Sequence, residues 1–191
     1  RRHRQMCIRD RDMHDMFNRS KSLMELDLSN FETSNVENMN GLFYGCSSIT
    51  DLNISNFDTG KINYMTSMFG AMDSLVSISL GEKFSFKNSN AAALPVPSGA
   101  IHTGRWIKSD NSTSSYTPDD FMSKYGTEEL TAGTYVAETN LWGTSPWEFD
   151  EATGTLTVHA GNLGEAKDSP WNTSKVDIQS IKKIILNGKI V

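Results

Sequence analysis

The stretch Met39-Asn-Gly-Leu-Phe43 decides the fold, because a similar segment occurs at the same distance before it and after it in the sequence. Met13-His-Asp-Met-Phe17 precedes it and Met65-Thr-Ser-Met-Phe69 follows it, and both 39 − 13 and 65 − 39 equal 26. Apolar residues further along each copy recur at the same spacing of 26. One such set is Leu26, Leu52 and Ile78, and another is Leu28, Ile54 and Leu80. A fixed period of this length predicts an array of units that each bury one face against the next.

Each copy predicts a short helix followed by a short strand. Met13, Met16 and Phe17 stand at i, i+3 and i+4, so they share one face of a helix of a turn or two. Apolar and polar residues then alternate as in a strand, in Leu26-Asp-Leu28, Leu52-Asn-Ile54 and Ile78-Ser-Leu80. We therefore predict an α+β fold with a leucine-rich-repeat-like solenoid, whose strands stack into a parallel sheet.

The outward positions of these strands are the candidate binding surface. Repeat arrays bind partners on such an extended sheet face, and here its first two copies are polar and acidic. The candidate binding residues on this face are Glu25, Asp27, Asp51, Asn53, Ser77 and Ser79.

The text of the repeat resembles one known family. Leu23-x-x-Leu26-x-Leu28 matches the opening of a leucine-rich repeat, although the asparagine stands one place early, at Asn30 and Asn56. Over residues 13–84 the sequence resembles the repeat of the BspA-like leucine-rich-repeat surface proteins of bacteria. The resemblance implies a non-enzymatic, secreted protein of the bacterial cell surface or cell wall. It also implies adhesion by protein-protein interaction with host or extracellular matrix proteins, or with other cell-surface proteins.

The order of motifs predicts five segments. Residues 1–11 are arginine-rich, share nothing with the repeat and are predicted to be non-native or disordered, whereas 12–85 hold the three copies and the C-terminal end of the array. Residues 86–102 read as a linker, 103–139 as a small α/β module and 140–191 as a β-hairpin module. The last module is expected to be truncated and to lead into a further array, with signal and anchor outside this sequence.

Local signals predict three elements in the last two modules. Thr117 before Pro118 starts a short helix and Gly126 ends it. Residues 147–150 and 155–158 alternate on either side of a Gly154 turn and predict a hairpin. Asn187-Gly188 predicts a second hairpin through a type I′ turn.

Composition excludes several classes of function. A net charge of −5 and a pI near 5.3 argue against binding to nucleic acid or anionic lipid, which needs a basic face. No apolar run approaches the ~20 residues of a membrane span, so no membrane insertion is expected in this segment. The two cysteines, Cys7 and Cys46, and the scattered histidines offer no metal-ligand spacing, and no catalytic or cofactor-binding motif is present. We expect no enzyme activity, no metal and no cofactor.

The tryptophans support an alternative function, a carbohydrate-binding module. Indole rings stack on sugars, and the tryptophans of residues 142–171, which are Trp142, Trp147 and Trp171, are a candidate platform for glycans. The interpretation that these rings instead pack in the core of a small domain is favoured, because small domains need large side chains to fill their cores.

Overall fold

The computed structural model describes residues 11–86, 92–110 and 114–191. The chain divides into a larger unit, Arg1–Ser98 with Gly104–Glu138, and a smaller unit, Gly99–Thr103 with Thr139–Val191. The predicted N-terminal segment, apart from Arg11, lies outside the described residues, and so do Cys7 and residues 87–91 of the predicted linker.

A five-stranded mixed sheet belongs to the larger unit, except for His102, Thr103 and Thr139 at the ends of two strands. Its strands are β1 (Asp51–Ile54), β2 (Ser77–Leu80), β3 (His102–Lys108), β4 (Ser115–Tyr116) and β5 (Gly133–Thr139). Their order is β1-β2-β5-β3-β4. Strands β1 and β2 are parallel, with Leu52 opposite Ile78, and β2 pairs with β5 in antiparallel register. The sheet thus joins the second and third copies of the repeat to a distant part of the chain.

The helices predicted within the repeat are wrong, because those residues form turns. Residues 14–19, 40–45 and 66–71 are turns, and left-handed φ angles recur in them at one phase, 57° at Asp15, 60° at Gly41 and 54° at Ser67. The N–H of Phe17 donates to the carbonyl of Leu42 in the next copy at 3.0 Å, whereas a helix would direct it four residues back. Turn bonds such as Met16 N–H to Met13 C=O produce the i, i+3 spacing that resembled a helix.

The predicted α+β leucine-rich-repeat-like solenoid is therefore wrong, since the described chain is mainly β with two mixed sheets. Its α-helix, α1 (Pro118–Lys124), lies outside the repeated region and is the only one among the described residues. Leu26-Asp-Leu28 does not form the predicted strand. The parallel pair also does not continue as a parallel sheet, because β2 pairs with the antiparallel β5 instead of with another repeat strand.

One apolar core fills the larger unit. Phe43 stacks between Phe17 and Phe69, with ring centroids 5.8 Å and 6.2 Å away. Ala92 and Leu94, which belong to the predicted linker, are buried in the same core. The predicted helix after Thr117 is confirmed as α1, and the Thr117 hydroxyl caps it by accepting the N–H of Asp120 at 3.2 Å.

The smaller unit is a four-stranded sheet with its own core. Its strands are β6 (Leu141–Trp142), β7 (Ser145–Asp150), β8 (Thr155–Val158) and β9 (Lys183–Leu186), in the order β6-β7-β8-β9. Two 3₁₀ helices, Ala166–Asp168 and Ile178–Ser180, lie between β8 and β9. The buried core residues are Trp147, Leu156, Val158 and Val176.

One of the two predicted hairpins forms. The β7–β8 hairpin is confirmed, with Trp147 opposite Val158 and a left-handed Gly154 in its turn. The hairpin at Asn187-Gly188 is wrong, because β9 pairs with β8 in parallel and Ile190 bridges Gly161. Gly188 has a φ of 83° but Asn187 is not left-handed, so the type I′ geometry is absent.

Candidate functional site

All six residues predicted for the outward face line one concave surface, here called the sheet-face groove. It encloses about 710 Å³. The residues that line it are Met24, Glu25, Leu26, Asp27, Ser48, Thr50, Asp51, Leu52, Asn53, Ser77 and Ser79. Residues from all three repeat copies therefore meet on one surface of the larger unit.

Strand alternation positions the groove side chains of β1 and β2. Leu52 and Ile54 are buried in the core, so Asp51 and Asn53 between them point to solvent. The parallel register sets Asp51 beside Ser77 and Asn53 beside Ser79. Two rows of polar side chains thus run side by side along the groove.

The first copy supplies two carboxylates without a strand. Glu25 and Asp27 lie in irregular backbone and are exposed. Hydrogen bonds from the side chain and then the backbone of Ser29 lower the pKa of Asp27, and the Ser29 N–H lies 2.9 Å from Oδ1. Asp27 is therefore ionised at neutral pH. In the second copy, Thr50 donates its hydroxyl to Oδ2 of Asp51 at 2.7 Å.

The groove carries negative charge without counter-charge. Its lining contains Glu25, Asp27 and Asp51 but no lysine, arginine or histidine. Among the described residues no ion pair involves these three carboxylates, while ion pairs elsewhere include Arg11 with Glu37 and Lys83 with Asp58. The surface is therefore complementary to a cationic partner.

A second concavity of about 720 Å³ adjoins the groove through the shared residues Asn53 and Ser79. Its far side is formed by residues 132–134 at the start of β5, and the Ser79 and Thr134 hydroxyls lie 2.8 Å apart in a hydrogen bond. Sequence reasoning missed this wall because it assigned Gly133-Thr134 to a separate module. A strand pattern alone could not name β2 as the partner of β5.

The three candidate sugar-binding tryptophans do not form an open platform. Trp147 is only 4% exposed and packs in the core of the smaller unit. Trp142 and Trp171 meet edge to face with centroids 5.2 Å apart, and Trp142 donates its Nε1–H to the carbonyl of Glu165 at 3.1 Å. The structure therefore uses at least one of the three rings for packing.

The described parts of the chain contain no candidate metal site. No group of three or more His, Cys, Asp or Glu side chains there is placed to hold a metal ion. Cys46 is buried, donates its thiol to the carbonyl of Phe17 at 3.1 Å, and has its pKa raised by burial. No helix in residues 11–86, 92–110 or 114–191 is both long and apolar enough to cross a membrane.

Comparison with known families gives one match. Residues 9–92 match the family model described as "Mycoplasma protein of unknown function, DUF285". The matched segment contains every residue of the sheet-face groove but is less than half of the chain. The match and the mainly β structure correct the predicted membership of the BspA-like leucine-rich-repeat family, and with it the leucine-rich-repeat solenoid. Comparisons with curated proteins and with solved structures give no match.

Proposed function

We propose that this chain is a non-enzymatic protein-binding segment of a bacterial cell-surface protein, and that it binds host, matrix or other surface proteins through the sheet-face groove. The observation that carries the proposal is the groove itself. Six polar residues from three sequence copies line this one concavity, whose volume is about 710 Å³. The family match, whose description names Mycoplasma proteins, supports a bacterial source.

The charge of the groove supports a basic segment as the bound element. Three carboxylates with no described ion-pair partner make the groove negative, and a lysine- or arginine-bearing partner neutralises that charge. Such complementarity mainly accelerates association and makes it sensitive to salt. We therefore expect binding to weaken as ionic strength rises.

The apolar lining adds contact area beside the charges. Met24 and Leu26 both line the groove; Met24 is 71% exposed and Leu26 is partly buried. A methionine side chain adapts its shape to different partners, because it is unbranched and has three rotatable bonds. A partner segment with alternating basic and apolar residues therefore fits this surface.

Charge reversal in the groove tests the proposal. The triple variant Glu25→Lys, Asp27→Lys, Asp51→Lys is measured against a panel of immobilised basic matrix proteins by surface plasmon resonance. The matched control carries the same charge change at Asp73, Glu128 and Glu151, which are exposed and outside the groove. We expect association to slow at least about tenfold for the groove variant only. Equal loss in both variants would assign binding to net charge and remove the groove as the site.

The location at the cell surface is a separate part of the proposal with its own test. Brief protease treatment of intact source cells, followed by mass spectrometry of the released peptides, should recover peptides of this chain while cytoplasmic marker proteins stay intact. Recovery only after lysis would contradict the surface location without bearing on the groove.

A further inference from the structure

The dipeptide Asn-Gly occurs twice in this chain, as Asn40-Gly41 and Asn187-Gly188. The two dipeptides lie in different structural environments. An asparagine followed by glycine is the sequence most prone to spontaneous deamidation, since glycine has no side chain to hinder ring closure. The reaction requires a free glycine nitrogen and a carboxamide that can turn towards it.

The structure holds both reacting groups of Asn40-Gly41. The N–H of Gly41 donates to the carbonyl of Thr66 at 2.9 Å, and Oδ1 of Asn40 accepts the N–H of Thr66 at 2.6 Å. Gly41 is also buried. Attack by the Gly41 nitrogen therefore requires local opening that breaks both bonds between neighbouring copies.

Asn187-Gly188 has neither restraint. Both residues are exposed, and the backbone N–H of Asn187, which donates to Val158 at 2.8 Å, is not a reacting group. Among the described residues, no hydrogen bond holds the Asn187 carboxamide or the N–H of Gly188. The carboxamide can therefore rotate towards the glycine nitrogen while the sheet stays folded.

We propose that Asn187 is a self-modifying site at which this protein deamidates in its folded state, whereas Asn40 is protected. The Gly188 nitrogen loses its proton and attacks Cγ of Asn187; a C–N bond forms, the Cγ–Nδ2 bond breaks, and ammonia leaves. Water then opens the resulting succinimide at either carbonyl, which gives aspartate or isoaspartate. No oxidant, reductant or enzyme is needed.

The reaction changes the edge of the smaller unit. It places a carboxylate directly after β9, two residues before Lys189 in the sequence. The isoaspartate product also lengthens the backbone between β9 and the bridge of Ile190 to Gly161, whose bonds include Val191 N–H to Gly161 C=O at 3.0 Å. Modification should therefore loosen this bridge and leave the larger unit unchanged.

Incubation of the folded chain at mildly alkaline pH tests the inference, with peptide mass spectrometry at intervals. We expect the deamidation rate at Asn187 to exceed that at Asn40 by at least about tenfold, because Asn40 can react only after local opening of the structure around it. A tenfold difference in rate corresponds to an opening free energy of about 1.4 kcal/mol. The same incubation in denaturant should bring the two rates within about twofold, since only structure separates them.

A variant supplies the control. Asn187→Gln keeps the amide, but its extra methylene makes the ring six-membered and much slower to close, so folded protein should show no new carboxylate at this position over the same incubation. Equal rates at Asn40 and Asn187 in the folded chain, or a slower rate at Asn187, would overturn the inference. A rate difference that persists in denaturant would also overturn it, because sequence rather than structure would be the cause.

Discussion

Phe43 stacks on Phe17 with the two rings only 3° from parallel and their centroids 5.8 Å apart. The residues are 26 positions apart, so the contact joins the same position of two successive sequence copies. Phe43 is fully buried whereas Phe17 is partly exposed. The stack therefore stabilises the region of the chain that carries the sheet-face groove.

Replacing Phe43 by alanine should destabilise the larger unit by about 3–5 kcal/mol, because the substitution removes a buried ring and leaves a cavity. Phe17→Ala removes the same atoms from a partly exposed position and should cost less. Urea unfolding followed by circular dichroism measures both variants. Equal losses would show that the two rings contribute alike and that burial does not rank them.

Asn56 makes a second connection between copies, and its loss should be measurable. Its Nδ2 group donates to the carbonyls of Leu28 at 3.0 Å and Phe31 at 3.1 Å. Asn56 is exposed, so water can replace its amide at these acceptors, and we expect Asn56→Ala to lose about 0.5–1.5 kcal/mol in urea unfolding. Asn30→Ala is the matched control, because Asn30 has the same phase and is likewise exposed but has no described side-chain hydrogen bond. A similar loss at Asn30 would contradict this assignment.

The sequence predicted which residues face outward better than it predicted the backbone that presents them. Alternation in Leu52-Asn-Ile54 and Ile78-Ser-Leu80 is a strand signal that burial on one face enforces, and β1 and β2 show it. The i, i+3, i+4 spacing of Met39, Leu42 and Phe43 is shared by helices and by successive turns, so it could not exclude the turns that form.

Non-local pairing explains the remaining errors. Strand β5 follows β2 by more than fifty residues in the chain, and nothing in Gly133-Thr134 names β2 as its neighbour. The wall that β5 adds beside the groove was therefore not predictable. At Asn187-Gly188, the local preference for a tight turn was outweighed by the parallel pairing of β9 with β8.

High pH should destabilise the larger unit through its buried tyrosines. Burial, with smaller effects from Asp110 and Tyr116, raises the pKa of Tyr135 to about 12, and burial first of all raises that of Tyr125 as well. The unfolded chain loses these protons near pH 10, before the folded chain does. Stability contributed by the neutral phenols is thus complete below pH ~10 and lost as pH rises towards 12.

Urea midpoints at several pH values between neutral and alkaline measure this loss. Tyr135→Phe should flatten the alkaline decline, although it also removes the hydrogen bond from the Tyr135 hydroxyl to the carbonyl of Thr131. Tyr64→Phe is the control, because it removes the same hydroxyl from a side chain that is 60% exposed. A decline of equal slope in all three proteins would exclude Tyr135 as its source.

Cys46 should resist thiol reagents while the chain is folded. Its side chain is fully buried, its Sγ hydrogen-bonds to Phe17, and burial raises its pKa, so little thiolate forms and reagents have no access. In a Cys7→Ser variant, labelling by a chromogenic disulfide reagent should be at least about a hundredfold slower in buffer than in denaturant, because reaction requires opening of the core. Phe43→Ala leaves a cavity in the core that contains Cys46, so it should accelerate labelling in buffer. Rapid labelling of the folded Cys7→Ser variant would show that the core around Cys46 opens freely, and would contradict the tight stacking of Phe17 on Phe43 as a source of stability.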